Sequence, residues 1–140
     1  MDEKLLTEVK EIAKYNGFKF CSKRHFIKNV YWYSTSSCGL SENFIREFKY
    51  AIDWSRLLST QKLSESLIEE HTILIDQYAF WGQVSAYQTL SEDFIRKYQD
   101  RIDWCMISMY QTLSENFIRK ILTLVHEESI RKQIEILNSF

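Results

Sequence analysis

The most reactive side chains in this chain belong to three cysteines and three histidines, and their spacing favours neither a reaction nor a metal site. The cysteines are Cys21, Cys38 and Cys105, and no two of them form a C-x-x-C pair. An odd number of unpaired cysteines is typical of a reducing compartment. A zinc site built from Cys21, His25 and Cys38 would lack the paired ligands of zinc modules. The sequence therefore predicts buried, inert thiols, no metal and no cofactor.

Serine recurs in a Leu-Ser-Glu sequence, at Ser41, Ser91 and Ser114, but no histidine recurs at a matching spacing to activate it as a nucleophile. The chain also has no glycine-rich phosphate loop and no H-E-x-x-H motif. We therefore expect a chain that is not an enzyme and has no catalytic residue. A structural role for these serines is favoured instead, because serine is a preferred N-cap residue.

The Leu-Ser-Glu sequence belongs to an internal repeat. Copies of Leu-Ser-Glu-Asn-Phe-Ile-Arg, some of them altered, start at Leu40, Leu63, Leu90 and Leu113. Their spacings are 23, 27 and 23 residues, and the longer repeat holds four extra residues near Tyr78 to Trp81, about one helical turn. A second block, Ile-Asp-Trp, follows the first copy at residues 52–54 and the third at residues 102–104. Self-similarity of this kind indicates a repeat architecture.

Each repeat is predicted to contain two short helices. The repeated serine caps the first helix, and Leu40 and Ile45 occupy the two positions of a hydrophobic staple, as do the matching pairs in the other copies. Asp53 and Asp103 are placed to cap a second helix that begins with tryptophan. These second-helix tryptophans share a helical phase with aliphatic residues, which predicts that they are buried. They are Trp54, Trp81 and Trp104.

Composition agrees with an all-α chain. The 140 residues include three glycines and no proline, which disfavours turn-rich β architectures. No apolar run approaches the roughly 18 to 20 residues of a membrane span, so we expect no membrane partner. The charged N-terminal segment is not a signal peptide, and the expected location is cytoplasmic, in the host cell if the source is viral.

We expect one domain, residues 1–140, in which helical hairpins stack as a small α-solenoid, because a single hairpin cannot bury both of its faces. Residues 40–126 hold the repeats and residues 127–140 form a capping helix. Residues 1–39 hold an amphipathic helix that ends at Asn16-Gly17, followed by a basic and aromatic segment. For residues 18–39 a short strand and a degenerate helix pair both fit the pattern, and Val30-Tyr31-Trp32 is a candidate earlier copy of the repeat.

The order Leu-Ser-Glu-x-Phe-Ile-Arg, Ile-Asp-Trp and Ile-Ser-x-Tyr-Gln, with its 23-residue period, resembles short helical repeats in proteins of large DNA viruses and bacteriophages. Residues 90–119 carry the resemblance best, residues 40–54 carry it well, and residues 63–88 carry it in part. The resemblance implies a viral or phage source and an interaction role, with no catalytic residues. Small phage proteins without enzyme motifs often inhibit host systems, including CRISPR nucleases.

Charge divides the chain near residue 40. Residues 1–39 hold seven Lys or Arg and four Asp or Glu, whereas residues 40–140 hold eleven and fifteen. Basic residues among aromatics suit single-stranded nucleic acid or an acidic protein, and an acidic face suits a basic groove on a partner. The candidate partner-binding residues are Glu69, Glu70, Glu92 and Asp93 in the repeats and Lys23, Arg24 and Lys28 in the basic segment.

The favoured function is a non-enzymatic protein-binding module, a viral or phage factor that binds a host defence protein and blocks it. A CRISPR effector loaded with nucleic acid is one candidate partner, which would make the chain an anti-CRISPR inhibitor. Two alternatives stay open. One is a nucleic-acid-binding protein that uses the basic N-terminal segment, and the other is a structural or self-assembling repeat protein, for which a homodimer is one form.

Overall fold

The computed structural model describes residues 1–139, apart from the side chain of Val125, and over that range it contains eleven α-helices and no strand. The helices are α1 (Glu3–Tyr15), α2 (Lys23–Asn29), α3 (Trp32–Thr35), α4 (Glu42–Glu47), α5 (Trp54–Thr60), α6 (Glu65–Glu70), α7 (Thr72–Gln77), α8 (Trp81–Tyr87), α9 (Glu92–Lys97), α10 (Trp104–Tyr110) and α11 (Glu115–Asn138). The all-α prediction is confirmed. None of these helices is both long and apolar enough to cross a membrane.

Each predicted helix start is found at its capping residue. The repeated serines cap α4, α6, α9 and α11, and each accepts a hydrogen bond from the backbone N–H three residues later. Asp53 and Asp103 cap α5 and α10 in the same way. In the second repeat, Phe80 precedes α8 instead of an aspartate, and no side chain caps that helix.

Successive repeats stack through their second helices, because α5 packs against α8 and α8 packs against α10. One residue at the same position of each of these helices is fully buried, namely Leu57, Val84 and Ile107. The first helices bury their staple isoleucines in the same core, which runs from Leu5 to Phe117. The predicted stack of helical hairpins, a small α-solenoid, is confirmed.

The glutamines that follow α8 and α10 join neighbouring repeats. Gln88 is buried, and its Oε1 accepts a 2.8 Å hydrogen bond from the backbone N–H of Leu63. Its Nε2 donates to the carbonyls of Leu58 and Gln61 in the preceding repeat. Gln111 donates to the carbonyl of Gln88 in the same manner, at 2.6 Å. These bonds fix the register between repeats, because each amide satisfies backbone groups that the turns leave unpaired.

Residues 18–39 form the helix pair α2 and α3, so of the two open expectations the helix pair is confirmed. Trp32 begins α3 and donates from Nε1 to the carbonyl of Ile27, five residues earlier, at 3.0 Å. Trp54 donates to the carbonyl of Lys49 across the same five-residue interval. The shared hydrogen bond indicates that Val30-Tyr31-Trp32 is a degenerate copy of the repeat.

Helix α1 covers the N-terminal end of the stack. It ends before Asn16 and Gly17, as expected, and Gly17 adopts φ +82°. Asn16 Oδ1 accepts a 2.9 Å hydrogen bond from the backbone N–H of Tyr31. Ser36 Oγ accepts a hydrogen bond from the backbone N–H of Asp53, one repeat further along. Helix α1 therefore supplies to α3 the kind of contact that α5 receives from the end of α3.

The four extra residues of the second repeat give rise to an additional helix. Residues 48–53 join the two helices of the first repeat by turns, whereas residues 71–80 join those of the second repeat and include α7. Ala79 closes the longer connection at φ +56°, a left-handed conformation that residues other than glycine seldom adopt. The insertion therefore keeps the stack in register but leaves a strained turn at its edge.

Two predictions fail at the C-terminal end of the stack. Trp104, predicted to be buried, is 36% exposed, whereas Trp54 and Trp81 are only 4% and 7% exposed. Ile118, expected to complete a staple with Leu113, is also exposed. Both corrections have one cause: no second helix follows the fourth Leu-Ser-Glu copy in the described chain, so nothing covers the outer side of α10.

The fourth copy instead continues as α11, a single helix of 24 residues. The predicted boundary between the repeats and the capping helix, at residues 126/127, falls inside this helix. Phe140, the last residue of the predicted capping helix, lies outside the described residues. From Ile118 onward the helix is mostly exposed, and its exposed residues include several leucines and isoleucines.

Candidate protein-binding surfaces

The acidic residues predicted to bind a partner on α6 are engaged within the stack. The guanidinium of Arg46 on α4 donates from Nε to Glu70 Oε2 at 2.8 Å and from Nη2 to Glu70 Oε1 at 3.0 Å. Lys97 on α9 donates to Glu69 Oε1 at 3.0 Å. The hydrogen bond with Arg46 lowers the pKa of Glu70, and the bond with Glu69 raises the pKa of Lys97. Both carboxylates therefore link neighbouring repeats.

The acidic pair at the start of α9 also has partners within the chain. Glu92 Oε1 accepts a hydrogen bond from the backbone N–H of Ser114, and this bond lowers the pKa of the Glu92 carboxyl group. Asp93 is exposed and pairs with Arg96, three residues later, at 3.0 Å. Of the four predicted acidic residues, Asp93 is the one whose ion pair stays within its own helix.

The predicted basic residues all lie on α2, which the sequence left without an assigned fold. Lys23 donates to Glu47 on α4 at 2.6 Å and so joins the degenerate repeat to the first full one. Arg24 and Lys28 are exposed. No ion pair of the described residues connects this basic set with the acidic residues of α6 and α9.

The cysteines differ from the prediction of buried thiols, since Cys21, Cys38 and Cys105 are all exposed. Cys38 donates from Sγ to the carbonyl of Ser34, at the end of α3. Cys21 and Cys38 lie in connections outside the helices of the degenerate repeat, and Cys105 lies on an exposed side of α10, so none of the three reaches the core. Across residues 1–139 no group of three or more His, Cys, Asp and Glu side chains is arranged to hold a metal ion.

A groove lies where the insertion meets the first repeat. We call it the insertion groove, and it is lined by Tyr50, Leu74, Tyr78 and Phe80 around a cavity of about 190 Å³. The Tyr50 side chain is 82% exposed and that of Tyr78 is 57% exposed. Tyr78 stacks on Phe80 with ring centroids 5.8 Å apart. The groove thus presents aromatic rings that the core does not use.

Polar contacts beside the insertion groove link the insertion to α8 and to the third repeat. Trp81 donates from Nε1 to Asp76 Oδ1 at 2.6 Å, and Asp76 also pairs with Arg101 of the third repeat at 3.3 Å. The left-handed turn at Ala79 then places Tyr78 and Phe80 on the same side. The sequence signals this site by the four extra residues, although the local pattern could not tell which side chains the longer turn exposes.

A second apolar surface lies at the open C-terminal end. We call it the end groove, and it is lined by Trp104, Ile107, Leu113, Phe117 and Leu122 around a cavity of about 440 Å³. It lies between α10 and the first turns of α11, where the second helix of a further repeat would pack. The sequence predicts that this tryptophan is buried because it shares a helical phase with Ile107, but the phase does not show whether a further helix covers it.

The repeated polar residues build the stack. Serine and aspartate cap helices, glutamine pairs backbone groups, and tryptophan Nε1 bonds to a carbonyl in three of its four positions. The exposed surfaces that the stack does not use include apolar and aromatic side chains, which are typical of interaction surfaces. Comparison of the chain with protein-family models, with curated proteins and with solved structures found no match.

Proposed function

We propose that this chain is a non-enzymatic protein-binding module that engages its partner through the insertion groove. The observation that carries the proposal is the exposed aromatic groove at the interruption of the repeat pattern. Tyrosine is enriched at protein interfaces because it offers a large contact area and a hydroxyl group at little cost in side-chain entropy. Tyr50 and Tyr78 border a cavity, into which a partner side chain can insert.

The strained turn supports this proposal. A left-handed alanine destabilises the fold by roughly 1 kcal/mol compared with a residue that adopts this conformation freely. Ala79 holds Tyr78 beside Phe80, and their stacked rings form one wall of the groove. Backbone strain that positions exposed aromatic residues is more readily explained by binding than by folding, because the shorter repeats stack without it.

The finer role rests on the resemblance of the repeats to those of viral and phage proteins. On that ground we propose that the partner is a host defence protein and that binding blocks it by occupying a working surface, with a CRISPR effector as one candidate. The acidic residues Glu69 and Glu70 are less suited to supply the contact alone, since their charges are balanced by Arg46 and Lys97.

A second candidate function, nucleic-acid binding, is favoured by one feature of the N-terminal segment. Lys10, Lys14 and Lys19 surround Phe18 and Phe20 at a cavity of about 580 Å³. Cations beside aromatic rings suit a single-stranded nucleic acid, which offers phosphates and bases together. A gel shift with single-stranded DNA and RNA that weakens steeply with salt, and that is lost in Lys14→Glu with Lys19→Glu, would support this alternative.

Site-specific photocrosslinking tests the proposed binding surface. A benzophenone amino acid is placed at Tyr78 in the insertion groove or, as a control, at Tyr15, which is comparably exposed on α1. Host lysate should yield a defined crosslinked protein from position 78 and none from position 15. The captured protein should then lose affinity at least tenfold for Tyr50→Ser with Tyr78→Ser, while the thermal midpoint stays unchanged. Equal binding by wild type and this variant would contradict the proposed surface.

A further inference from the structure

We infer that Arg96 and Lys120, which line one cavity at the last repeat interface, bind the carboxylate of a glutamate or aspartate side chain from a partner protein. We call this surface the α9–α11 site. The residues around its cavity of about 410 Å³ include Arg96, Phe117, Arg119, Lys120 and Leu124. The inference goes beyond the proposed function and does not depend on the insertion groove. It rests on an ion pair that each earlier interface makes and this one lacks.

A ladder of ion pairs joins the first helices of successive repeats. Counting the repeated leucine as the first residue of each copy, the eighth residue is charged in all four copies. In the first three copies it pairs with a residue of opposite charge on the preceding first helix. The three pairs are Lys23–Glu47 at 2.6 Å, Arg46–Glu70 at 2.8 Å and Glu69–Lys97 at 3.0 Å. The sign of the eighth residue changes along the ladder, and the residue before it changes sign in compensation.

The next step of this ladder brings two cations together. The eighth residue of the fourth copy is Lys120, and the residue of the third copy that corresponds to Arg46 is Arg96. The pKa of Glu92, lowered mainly by its bond to Ser114, is lowered further by the charges of both Arg96 and Lys120. Lys120 takes part in none of the ion pairs formed within residues 1–139. This interface therefore lacks the carboxylate that α6 supplies to Arg46.

The guanidinium of Arg96 is held as that of Arg46 is, but the edge that grips a carboxylate is empty. Arg46 donates from Nη1 to Asn43, three residues earlier, and from Nε and Nη2 to Glu70 of the next repeat. Arg96 likewise donates from Nη1 to Asp93, three residues earlier, at 3.0 Å. Its Nε and Nη2 form no hydrogen bond within the described part of the chain. Because these two groups together hold a carboxylate in Arg46, the same two-point contact is open at Arg96.

An aromatic ring positions Arg96 at the cavity. Its guanidinium lies over the ring of Phe117, 5.5 Å from the centroid, and Phe117 is buried in the core. Leu124 follows Lys120 by about one helical turn, is 51% exposed and lines the same cavity. The site therefore offers an apolar surface beside its two cations. This combination suits an acidic side chain that has an apolar neighbour in the partner sequence.

Carboxylates near the site limit the negative charge that a ligand can bring. Glu92 lies close to both cations, and Glu127 lines the cavity about 10 Å along α11 from Lys120. The charge of Arg119 is partly balanced, because its guanidinium pairs with Glu115 at 2.6 Å. A nucleic acid would place several phosphates near these carboxylates, and like charges repel. A single carboxylate, as on a protein side chain, is therefore favoured over a polyanion.

An NMR titration tests the site with a defined ligand. The probe is the blocked peptide N-acetyl-Leu-Glu-Leu-amide, added up to millimolar concentration at about pH 6, where a glutamate side chain is ionised. The Nε–H resonance of Arg96 should shift. The Nε–H resonance of Arg46, whose carboxylate is already supplied by Glu70, is the internal control and should not shift. The uncharged peptide N-acetyl-Leu-Gln-Leu-amide should move neither. An Arg96 resonance that stays in place, or that shifts equally with both peptides, would overturn the inference.

A charge reversal tests whether the ladder is interrupted at this interface. Lys120→Glu supplies the missing carboxylate from within the chain, so the thermal midpoint should rise by about 1 to 3 °C and the peptide should no longer shift the Arg96 resonance. The residues three and four positions from Lys120 are uncharged, so this rise reports the contact with Arg96. Arg131→Glu, the same change of charge on the same helix, is the matched control. It should not raise the midpoint and should keep the peptide response. A Lys120→Glu variant that still binds the peptide, or that melts at a lower temperature, would contradict the inference.

Two further titrations separate this inference from the other proposals. A short single-stranded DNA should shift the Arg96 resonance less than the acidic peptide does at equal concentration. A larger shift with DNA would assign the site to phosphate groups and overturn the carboxylate ligand. Tyr50→Ser with Tyr78→Ser should keep the peptide response of wild type, because the insertion groove shares no residue with the α9–α11 site. Failure of the proposed function and failure of this inference are therefore distinguishable.

Discussion

The Glu92 carboxylate and the backbone N–H of Ser114 are joined by a 2.6 Å hydrogen bond from one repeat to the next. Ser114 uses its hydroxyl to cap α11, and Glu92 satisfies the amide that this cap leaves free. Glu65 accepts the backbone N–H of Ser91 in the same way. The repeated Ser-Glu pair therefore acts at two levels, because the serine starts its own helix and the glutamate fixes the start of a later one.

The first prediction concerns the pH dependence of stability. The bond from Ser114 lowers the pKa of Glu92 in the folded chain below its ordinary value of 4.5, so the ionised carboxylate stabilises the fold. This contribution is present above the ordinary value and is lost as the pH falls through the lowered folded pKa. Glu92→Gln keeps an oxygen acceptor without the charge, so its stability should fall less on acidification than that of wild type.

Urea unfolding at neutral pH and at about pH 3 measures this difference. Glu11→Gln, a change at an exposed residue of α1, serves as the control and should keep the acid sensitivity of wild type. If Glu92→Gln and wild type lost equal stability on acidification, the Glu92 carboxylate would not stabilise the repeat interface through its charge.

The second prediction concerns the glutamine ladder. Gln88→Ala removes one acceptor and two donors from a buried interface and leaves the backbone groups of Leu63, Leu58 and Gln61 without partners. Unpaired buried polar groups are costly, so the free energy of unfolding should fall by about 3 kcal/mol. Gln77→Ala, at an exposed position, should change it by less than about 0.5 kcal/mol. Chemical denaturation measures both changes. Equal losses of unfolding free energy in the two variants would argue against the ladder.

Much of the fold follows from local signals in the sequence. The capping serines and aspartates of the repeats fix where six of the helices begin, because an N-cap needs only the residue and the backbone that follows it. Asn16-Gly17 ends α1 for the same local reason. The staple leucines and isoleucines share one helical face, and this predicts the buried side of each first helix.

The remaining features depend on neighbours that local patterns do not specify. Trp54 and Trp104 begin helices with the same cap and the same bond five residues back, yet one is buried and the other partly exposed, because only Trp54 has a repeat on each side. The role of Gln88 was missed for a similar reason. Its partners lie on the preceding repeat and at the start of its own repeat. The repeated Tyr-Gln sequence therefore shows that the chain is periodic but does not show which groups the glutamine contacts.

The third prediction compares two glycines, one with a left-handed backbone conformation and one within a helix. Gly39 adopts φ +76° immediately before the first repeat, and an added Cβ would meet no atom within 4 Å, so Gly39→Ala tests backbone conformation alone. It should destabilise the chain by about 1 kcal/mol. Gly82 lies in α8 at an ordinary helical conformation with similar open space, so Gly82→Ala should stabilise by about 0.5 to 1 kcal/mol. Thermal unfolding that shifts both midpoints in the same direction would contradict this assignment.

The fourth prediction concerns the strained turn of the insertion. Ala79→Gly relieves the left-handed strain at φ +56° and should raise the free energy of unfolding by up to about 1 kcal/mol. Ala51→Gly, in the shorter connection of the first repeat and at no positive φ, should instead lower it. Differential scanning calorimetry of the two variants compares the connections directly. A loss of stability in Ala79→Gly would mean that the turn is not strained.

The last prediction separates an interior tryptophan from the one at the open end. Trp54→Ala should lower the free energy of unfolding by about 3 to 5 kcal/mol, because its ring is packed between two repeats and contacts His71 at 5.0 Å. Trp104→Ala should cost less than half as much, because its ring is 36% exposed. Acrylamide should quench a protein that retains only Trp104 more strongly than one that retains only Trp54. Quenching that is equal for both tryptophans would place Trp104 back in the core.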